Sequence, residues 1–381
     1  MTTDRRRAAG SLALPAMESQ NHFYGHSAAF AAYTGRSRPR HIRGLVQHGW
    51  TAVSPVETHF RDFPSLGLDG SRAHRLLVWS HDSRAWDPQA ERHVTLPIGA
   101  QFAYLARAAG AAPTARENRD EVVLMPVHGI QTQRVRGDHS GLARMWREQE
   151  GAATACLYAA DAADPEILAA YRGAGHRVVV LGERLDAAFL WRLWTMLGRA
   201  RRVVSNRLST PVLYGGHLGA DLGVYGDALR IDGELGEQND RVRALWPELH
   251  GERLDLDVAR PLIDRELGVH HLLTPEALEG ALGWNGSRPA VPAAEYWTTS
   301  PARRAIVNLR RRAGNGTATL PEAESGSDAA VATEPQAQQG PGAEGLSFGA
   351  WLRAATSYLP RPLPRAIPRV GEPVEPIPVT G

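Results

Sequence analysis

The chain has 381 residues, 43% hydrophobic and 22% charged, a balance that fits a soluble globular protein long enough for two domains. With 43 basic and 41 acidic residues the net charge is +2, so no strong field draws it to nucleic acid and no such partner is expected. It contains no lysine, which excludes lysine chemistry, and its lone Cys156, set in "ATACLYAAD", excludes an internal disulfide and suits a buried thiol in a reducing compartment.

Residues 1–20 carry a basic cluster followed by an apolar run too short and interrupted for a secretion signal, and are expected to be flexible. Nowhere do about 18 apolar residues run together, so no membrane span is expected and the cytoplasm is the expected compartment. Between 21 and 115, "HSAAFAAYTG" and "AQFAYLARAAG" read as helices, and "HIRGLVQHG", "HRLLVWSH" and "HVTLPIG" as parallel core strands, which makes a small Rossmann-like unit. "APTAREN" separates it from the rest.

From 120 to 311 a second, fuller Rossmann-like unit is expected. "EVVLMPVH", "ATACLYAAD", "HRVVVLGE", "RRVVSN" and "DLGVYG" read as strands apolar throughout, and helices lie between them. One of these helices, "DPEILAAYRGAG", has Asp164 to cap it and Pro165 in its first turn. Residues 232–311 are mixed and mostly helical, with "TPEALEGALG" started by Thr274 and Pro275. Residues 312–345 are too poor in large apolar side chains to offset chain entropy and predict a disordered linker. Residues 346–359 place Phe348, Trp351, Leu352, Ala355 and Leu359 at helical spacing, a short amphipathic helix for docking on protein or on the inner face of a membrane. A Pro-rich extended tail follows at 360–381.

Ligands of open parallel sheets gather beyond the carboxyl ends of the strands. After "RRVV" come Ser205, Asn206, Arg207, Ser209 and Thr210, then a helix with Thr210 as candidate N-cap and Pro211 in its first turn. Free N–H groups, hydroxyls and a guanidinium there suit a phosphate, although simple capping needs only one of these residues. His128 and Gly129 follow another strand and Glu183 a third, as candidate contacts to a ligand; a hydrogen-bonded structural histidine and a surface carboxylate are the alternatives. His48 ends "GLVQ" in the first unit, where an imidazole suits proton removal from a hydroxyl, or a core hydrogen bond, and Gly49 and Trp50 beside it are candidate substrate contacts. His59, His81, Asp82, Arg84 and Asp87 lie nearby, but the histidine spacing matches no zinc signature and no structural metal is expected. Motifs of P-loop ATPases, nucleophile-elbow hydrolases and ordinary dehydrogenases are absent.

In layout, "VQHGW" after an early strand, "LPIGAQFAYL" closing the first unit, "VVLMPVHG" opening the second and "RRVVSNRLSTPVLYGGHLGADLGVYG" resemble glycosyltransferases of the two-domain GT-B type over about residues 20–230. The resemblance is closest to the bacterial capsule polysaccharide transferases and CDP-glycerol glycerophosphotransferases. It implies catalysis at His48 and Gly49, and donor phosphate on Ser205, Asn206, Ser209 and Thr210. It also implies transfer of a sugar from a nucleotide donor to a hydroxyl of a cell-surface glycan. Trp50 and Thr51 stand where the glycerophosphotransferases often have a lysine, which favours a nucleotide sugar as donor. No tightly bound cofactor is expected, and a divalent cation on the donor's phosphates is left open. The alternatives are a nucleotide-sugar epimerase or hydrolase, and a non-catalytic scaffold in a polysaccharide assembly complex.

Overall fold

The computed structural model describes residues 18–55, 76–84, 95–110, 115–129, 134–232, 234, 237–285, 293–299 and 361–380. The expected linker at 312–345 and helix at 346–359, together with His59 and Asp87, lie outside them.

The protein is α/β. A 3-10 segment, Glu18–Gly25, leads into α1 (His26–Tyr33), and strands β1 (Leu45–Val46), β2 (Leu76–Val78) and β3 (Thr95–Pro97) form a parallel sheet in that order before α2 (Gln101–Ala109). The three strands expected here pair as read, and they are apolar because helices cover them: Phe30 of α1 and Tyr104 of α2 are buried against Val46, Leu77 and Ile98.

The second sheet begins with β4 (Glu121–Leu124). Then come β5 (Val135–Arg136), α3 (His139–Glu150), β6 (Thr154–Cys156), α4 (Ala159–Ala162), α5 (Pro165–Gly173) and β7 (Arg177–Val180). Helix α6 (Phe189–Arg199), β8 (Ala200–Ser205), α7 (Thr210–His217) and β9 (Asp221–Val224) complete it, and β10 (Arg230–Ile231) pairs antiparallel with β5 in a separate two-stranded sheet. Five parallel strands lie in the order β7-β6-β4-β8-β9, so the chain runs outward from β4 in one direction and then, from β8, in the other. Asp164 caps α5, its side chain accepting from Glu166 N–H. Close packing of α7 on its neighbours accounts for "YGGH": a Cβ on Gly215 would lie 2.8 Å from Val203 of β8, and one on Gly216 2.5 Å from Ile263 of a later helix.

Beyond β10 the chain forms α8 (Gln238–Leu245), α9 (Leu256–Glu266) and α10 (Pro275–Leu282), the last capped by Thr274. The boundary expected at about residue 120 does not hold for this segment. Leu278, Leu282 and Trp284 join the core of the first sheet, and Arg43 N–H donates to Leu282 O. A single core cluster holds Trp50, Trp79 and Phe102 together with Val123, Trp191 and Val203, so the two sheets share one continuous core. The Pro-rich tail also packs on the protein: β11 (Ile377–Pro378) pairs antiparallel with β7 at the sheet edge. Among the described residues no helix is long and apolar enough to cross a membrane.

Candidate functional site

Where the order of the second sheet reverses, between β4 and β8, the loops after these strands part and leave a crevice. A cavity of about 180 Å³ lies there, more than ten times the space one water needs. Its floor is Met125 to Gly129 after β4, Cys156 at the end of β6 with Leu157 to Ala159 after it, Leu181 and Gly182 after β7 and Arg207 to Pro211 after β8; Tyr24, His26, His48 and Gly49 close it from the first half of the chain. Burial pushes the Cys156 thiol up to about 12, so this wall residue is no nucleophile at neutral pH.

His48 is 5% exposed and stands edge-on to Phe23, ring centroids 5.9 Å apart. Its position is set by Gln47, which composition alone does not mark out. The Gln47 side chain accepts from Trp79 N–H (2.9 Å) and donates to Gly49 O (2.8 Å), while the Gln47 backbone carbonyl accepts from Gln101 Nε2 (2.8 Å). A buried amide with both ends satisfied holds the turn in one conformation. Trp50 follows, and the structure corrects its expected role as a substrate contact. Its indole is buried, packs edge-on to Trp246 at 5.2 Å and donates to Glu266 Oε2 (3.2 Å), outside the cavity lining. The Trp50 backbone N–H donates to Thr210 Oγ1 (2.9 Å), joining the two halves beside the cavity.

His128 lies opposite, in the wall formed by the second sheet. Its Nδ1 is 2.9 Å from Gly129 O, so in the neutral ring Nδ1 carries the proton and Nε2 keeps its lone pair. Tyr158 stacks on the ring at 4.8 Å. Below, the buried Asp161 carboxylate accepts from Gly129 N–H (3.0 Å to Oδ2). Burial raises the Asp161 pKa against the pull of His128 and of that N–H. His26, Tyr158 and Asp161 escaped the reading of the chain because they become neighbours of the site only when separate loops converge.

The expected phosphate loop is only partly open to the cavity. Ser205 is buried and its hydroxyl donates to Met125 O (2.6 Å); Asn206 accepts from Val127 N–H (2.7 Å) and donates to Asp227 O (2.8 Å). Neither lines the cavity; both tie the β8 turn to its neighbours. Arg207 does line it, but its guanidinium is paired with Glu234 (2.5 and 2.8 Å) and donates to Ala228 O and Leu229 O. The cap of α7 is Ser209 rather than Thr210, because Thr210 already has helical geometry and turns its hydroxyl to Trp50. Pro211 has no N–H and Val212 N–H donates to Ser209 O (3.0 Å), so the helix end offers fewer free donors than its sequence promises. Ser209 and Thr210 remain in the lining. Glu183 is exposed and stands outside it.

No group of three metal-ligating side chains converges on the cavity among the described residues; one such group occurs elsewhere, at Asp82, His270 and His271. Comparison of the chain with protein-family models gives no match, and comparison with curated proteins gives none.

Proposed function

We infer that the protein is a glycosyltransferase-like enzyme of two Rossmann-like units in the GT-B manner. In this reading the cavity takes the glycosyl and phosphate part of a nucleotide donor, and a hydroxyl of a glycan is the acceptor. The observation that carries the reading is the position of the cavity: it opens at the reversal of strand order in the second sheet, and the other sheet closes it with His48. The strand order of the second sheet, outward from β4 and then back from β8, supports the reading, since doubly wound sheets of this order bind nucleotides at the reversal.

In the proposed reaction the acceptor oxygen forms a bond to the anomeric carbon as the bond from that carbon to the donor phosphate breaks. The acceptor proton passes to an imidazole, His48 from the first unit or His128 Nε2 from the second, and the nucleotide leaves with its phosphates. Ser209, Thr210 and the His26 imidazole supply donors for the charge that grows on the leaving phosphate. Walls from both units exclude water, which limits hydrolysis of the donor.

One observation favours the scaffold reading. Arg207, the cation that lines the cavity among the described residues, is already neutralised by Glu234. A thermal-shift series with CMP, CDP, UDP and GDP on the full chain separates the two. A ligand at about 100 times its Kd stabilises by about 2.7 kcal/mol. A shift with one nucleotide, reduced in Ser209→Ala and His128→Ala, supports the transferase; no shift with any, with and without magnesium, favours the scaffold.

A further inference from the structure

Away from the cavity, Asp82 follows β2, and His270 and His271 lie in the 3-10 turn Val269–His271 after α9. These segments are far apart in sequence, but several contacts outside the three side chains pin them together. The Glu266 carboxylate accepts from Ser83 Oγ (2.6 Å) and from Arg84 N–H (2.9 Å), and Ala100 N–H donates to Leu267 O (2.8 Å). Gly268 has φ 62°, and a Cβ there would stand 1.9 Å from Trp79 O, so only glycine lets the turn come this close to the end of β2. Backbone packing, rather than attraction between surface side chains, therefore brings the three residues together.

Asp82 Oδ2 lies 2.6 Å from His270 Nε2 and 3.1 Å from His271 Nε2, and the ligating atoms of all three fall within 4.8 Å of one another. A tetrahedral ion with bonds of about 2.1 Å holds its ligand atoms about 3.4 Å apart, so a small rotation of exposed side chains opens the cluster to that size. Behind it, Asp82 N–H donates to Ser80 Oγ (3.0 Å), and His81 is engaged with Thr95 Oγ1 (2.9 Å). An ion pair needs one imidazole; two converging on one carboxylate oxygen make the donor set of an open zinc site.

We propose that Asp82, His270 and His271 bind a divalent transition-metal ion of the Zn²⁺ type, through one carboxylate oxygen and two imidazole Nε2 atoms. Solvent water completes the shell. Imidazole nitrogen selects such an ion over Mg²⁺ or Ca²⁺, which take oxygen ligands. The ligands come from two distant segments, so no spacing motif announces them.

The test is titration of the untagged full chain with Zn²⁺ against a competing chelating indicator, repeated with Co²⁺ to read its visible absorption. The expected result is one equivalent of Zn²⁺ and a tetrahedral Co²⁺ spectrum. Affinity should fall at least about tenfold in Asp82→Asn and in His270→Gln. Asp82 and His270 have about half of their side-chain surface exposed, at 49% and 48%, so both variants should keep the metal-free thermal midpoint. His217→Gln, which removes an isolated histidine–carboxylate pair with Asp264, should bind as the parent does. No saturable Zn²⁺ binding, or binding unchanged in both cluster variants, overturns the proposal.

Discussion

The Trp50 backbone N–H donates to the Thr210 hydroxyl across 2.9 Å, linking the turn after β1 to the first residue of α7. These residues lie 160 positions apart, and the bond fastens together the two walls of the cavity. Thr210→Val keeps the shape and removes the acceptor, leaving a part-buried N–H without its partner. The expected loss is about 1–3 kcal/mol in urea unfolding, with Thr210→Ser near the parent. A loss below roughly 0.5 kcal/mol would mean that the bond contributes nothing beyond what water supplies.

Arg202 and Glu150 form a buried pair under β8 and β9. The guanidinium meets both carboxylate oxygens at 2.7 and 2.6 Å, and Tyr225 donates to the same carboxylate at 2.6 Å. Their side chains are 3% and 7% exposed. Removal of one partner strands a charge, so Glu150→Leu or Arg202→Met alone should cost about 3–5 kcal/mol. The double variant should cost distinctly less than the sum, and additive losses in chemical denaturation would contradict the coupling.

The tail crosses α6 before it reaches β7. Trp191 Nε1 donates to Arg369 O (3.1 Å), Val374 N–H donates to Thr195 Oγ1 (2.9 Å), and Arg199 pairs with Glu375 (2.6 Å). Ending the chain at Pro360 uncovers the apolar partners of Ile367 and Val374 and leaves the β7 edge unpaired. The expected outcome is a lower thermal midpoint, with a loss of at least about 1 kcal/mol, and concentration-dependent association through the bare edge in sedimentation. An unchanged midpoint and a monodisperse truncated chain would show that the tail is not part of the folded unit.

Acid should destabilise the protein. Burial, and secondarily the nearby His41, hold His22 down at about 3, against 6.5 for a free imidazole, and burial lowers His41, His176 and His250 in the same direction. Between these values the unfolded chain binds the proton and the folded chain does not. The His22 contribution is therefore complete above pH 6.5 and is lost as pH falls toward 3. For His22 alone this amounts to about 2 kcal/mol between pH 7 and 5. Glu266 and Asp161, raised by burial, act in the opposite sense, so the clean measurement compares urea unfolding of the parent and His22→Asn at both pH values. Equal pH slopes in the two proteins would rule out His22 as a source of the acid sensitivity.

The strands of both sheets were legible in the sequence, because a strand covered on both faces is apolar throughout and its neighbours in the chain mark its ends. "EVVLMPVH", "HRVVVLGE" and "RRVVSN" became β4, β7 and β8, although β4 ends four residues and β7 three residues before the stretch read as strand. Helix α9 was not legible, since Pro261 inside it breaks the pattern by which a helix is recognised, and tertiary packing overrode that signal. His48, His128, Ser209 and Thr210 were marked by their places after strands, and they do line one cavity. The same rule also pointed to Ser205, Asn206 and Glu183, which stand outside that lining, because position after a strand says where the backbone goes but not which hydrogen bonds its side chains find.

What the sequence determined by itself is the order and type of the main strands and of most helices between them up to about residue 224, which depend on local periodicity, capping and turn residues. Tertiary structure alone decided that residues 278–284 return to the first sheet, that Arg207 is neutralised by Glu234, that Trp50 turns to Glu266, and that Asp82 meets His270 and His271. Each of these joins residues distant in the chain. Such pairings are selected by the burial of apolar surface and the satisfaction of buried polar groups over the whole fold, which no local pattern encodes.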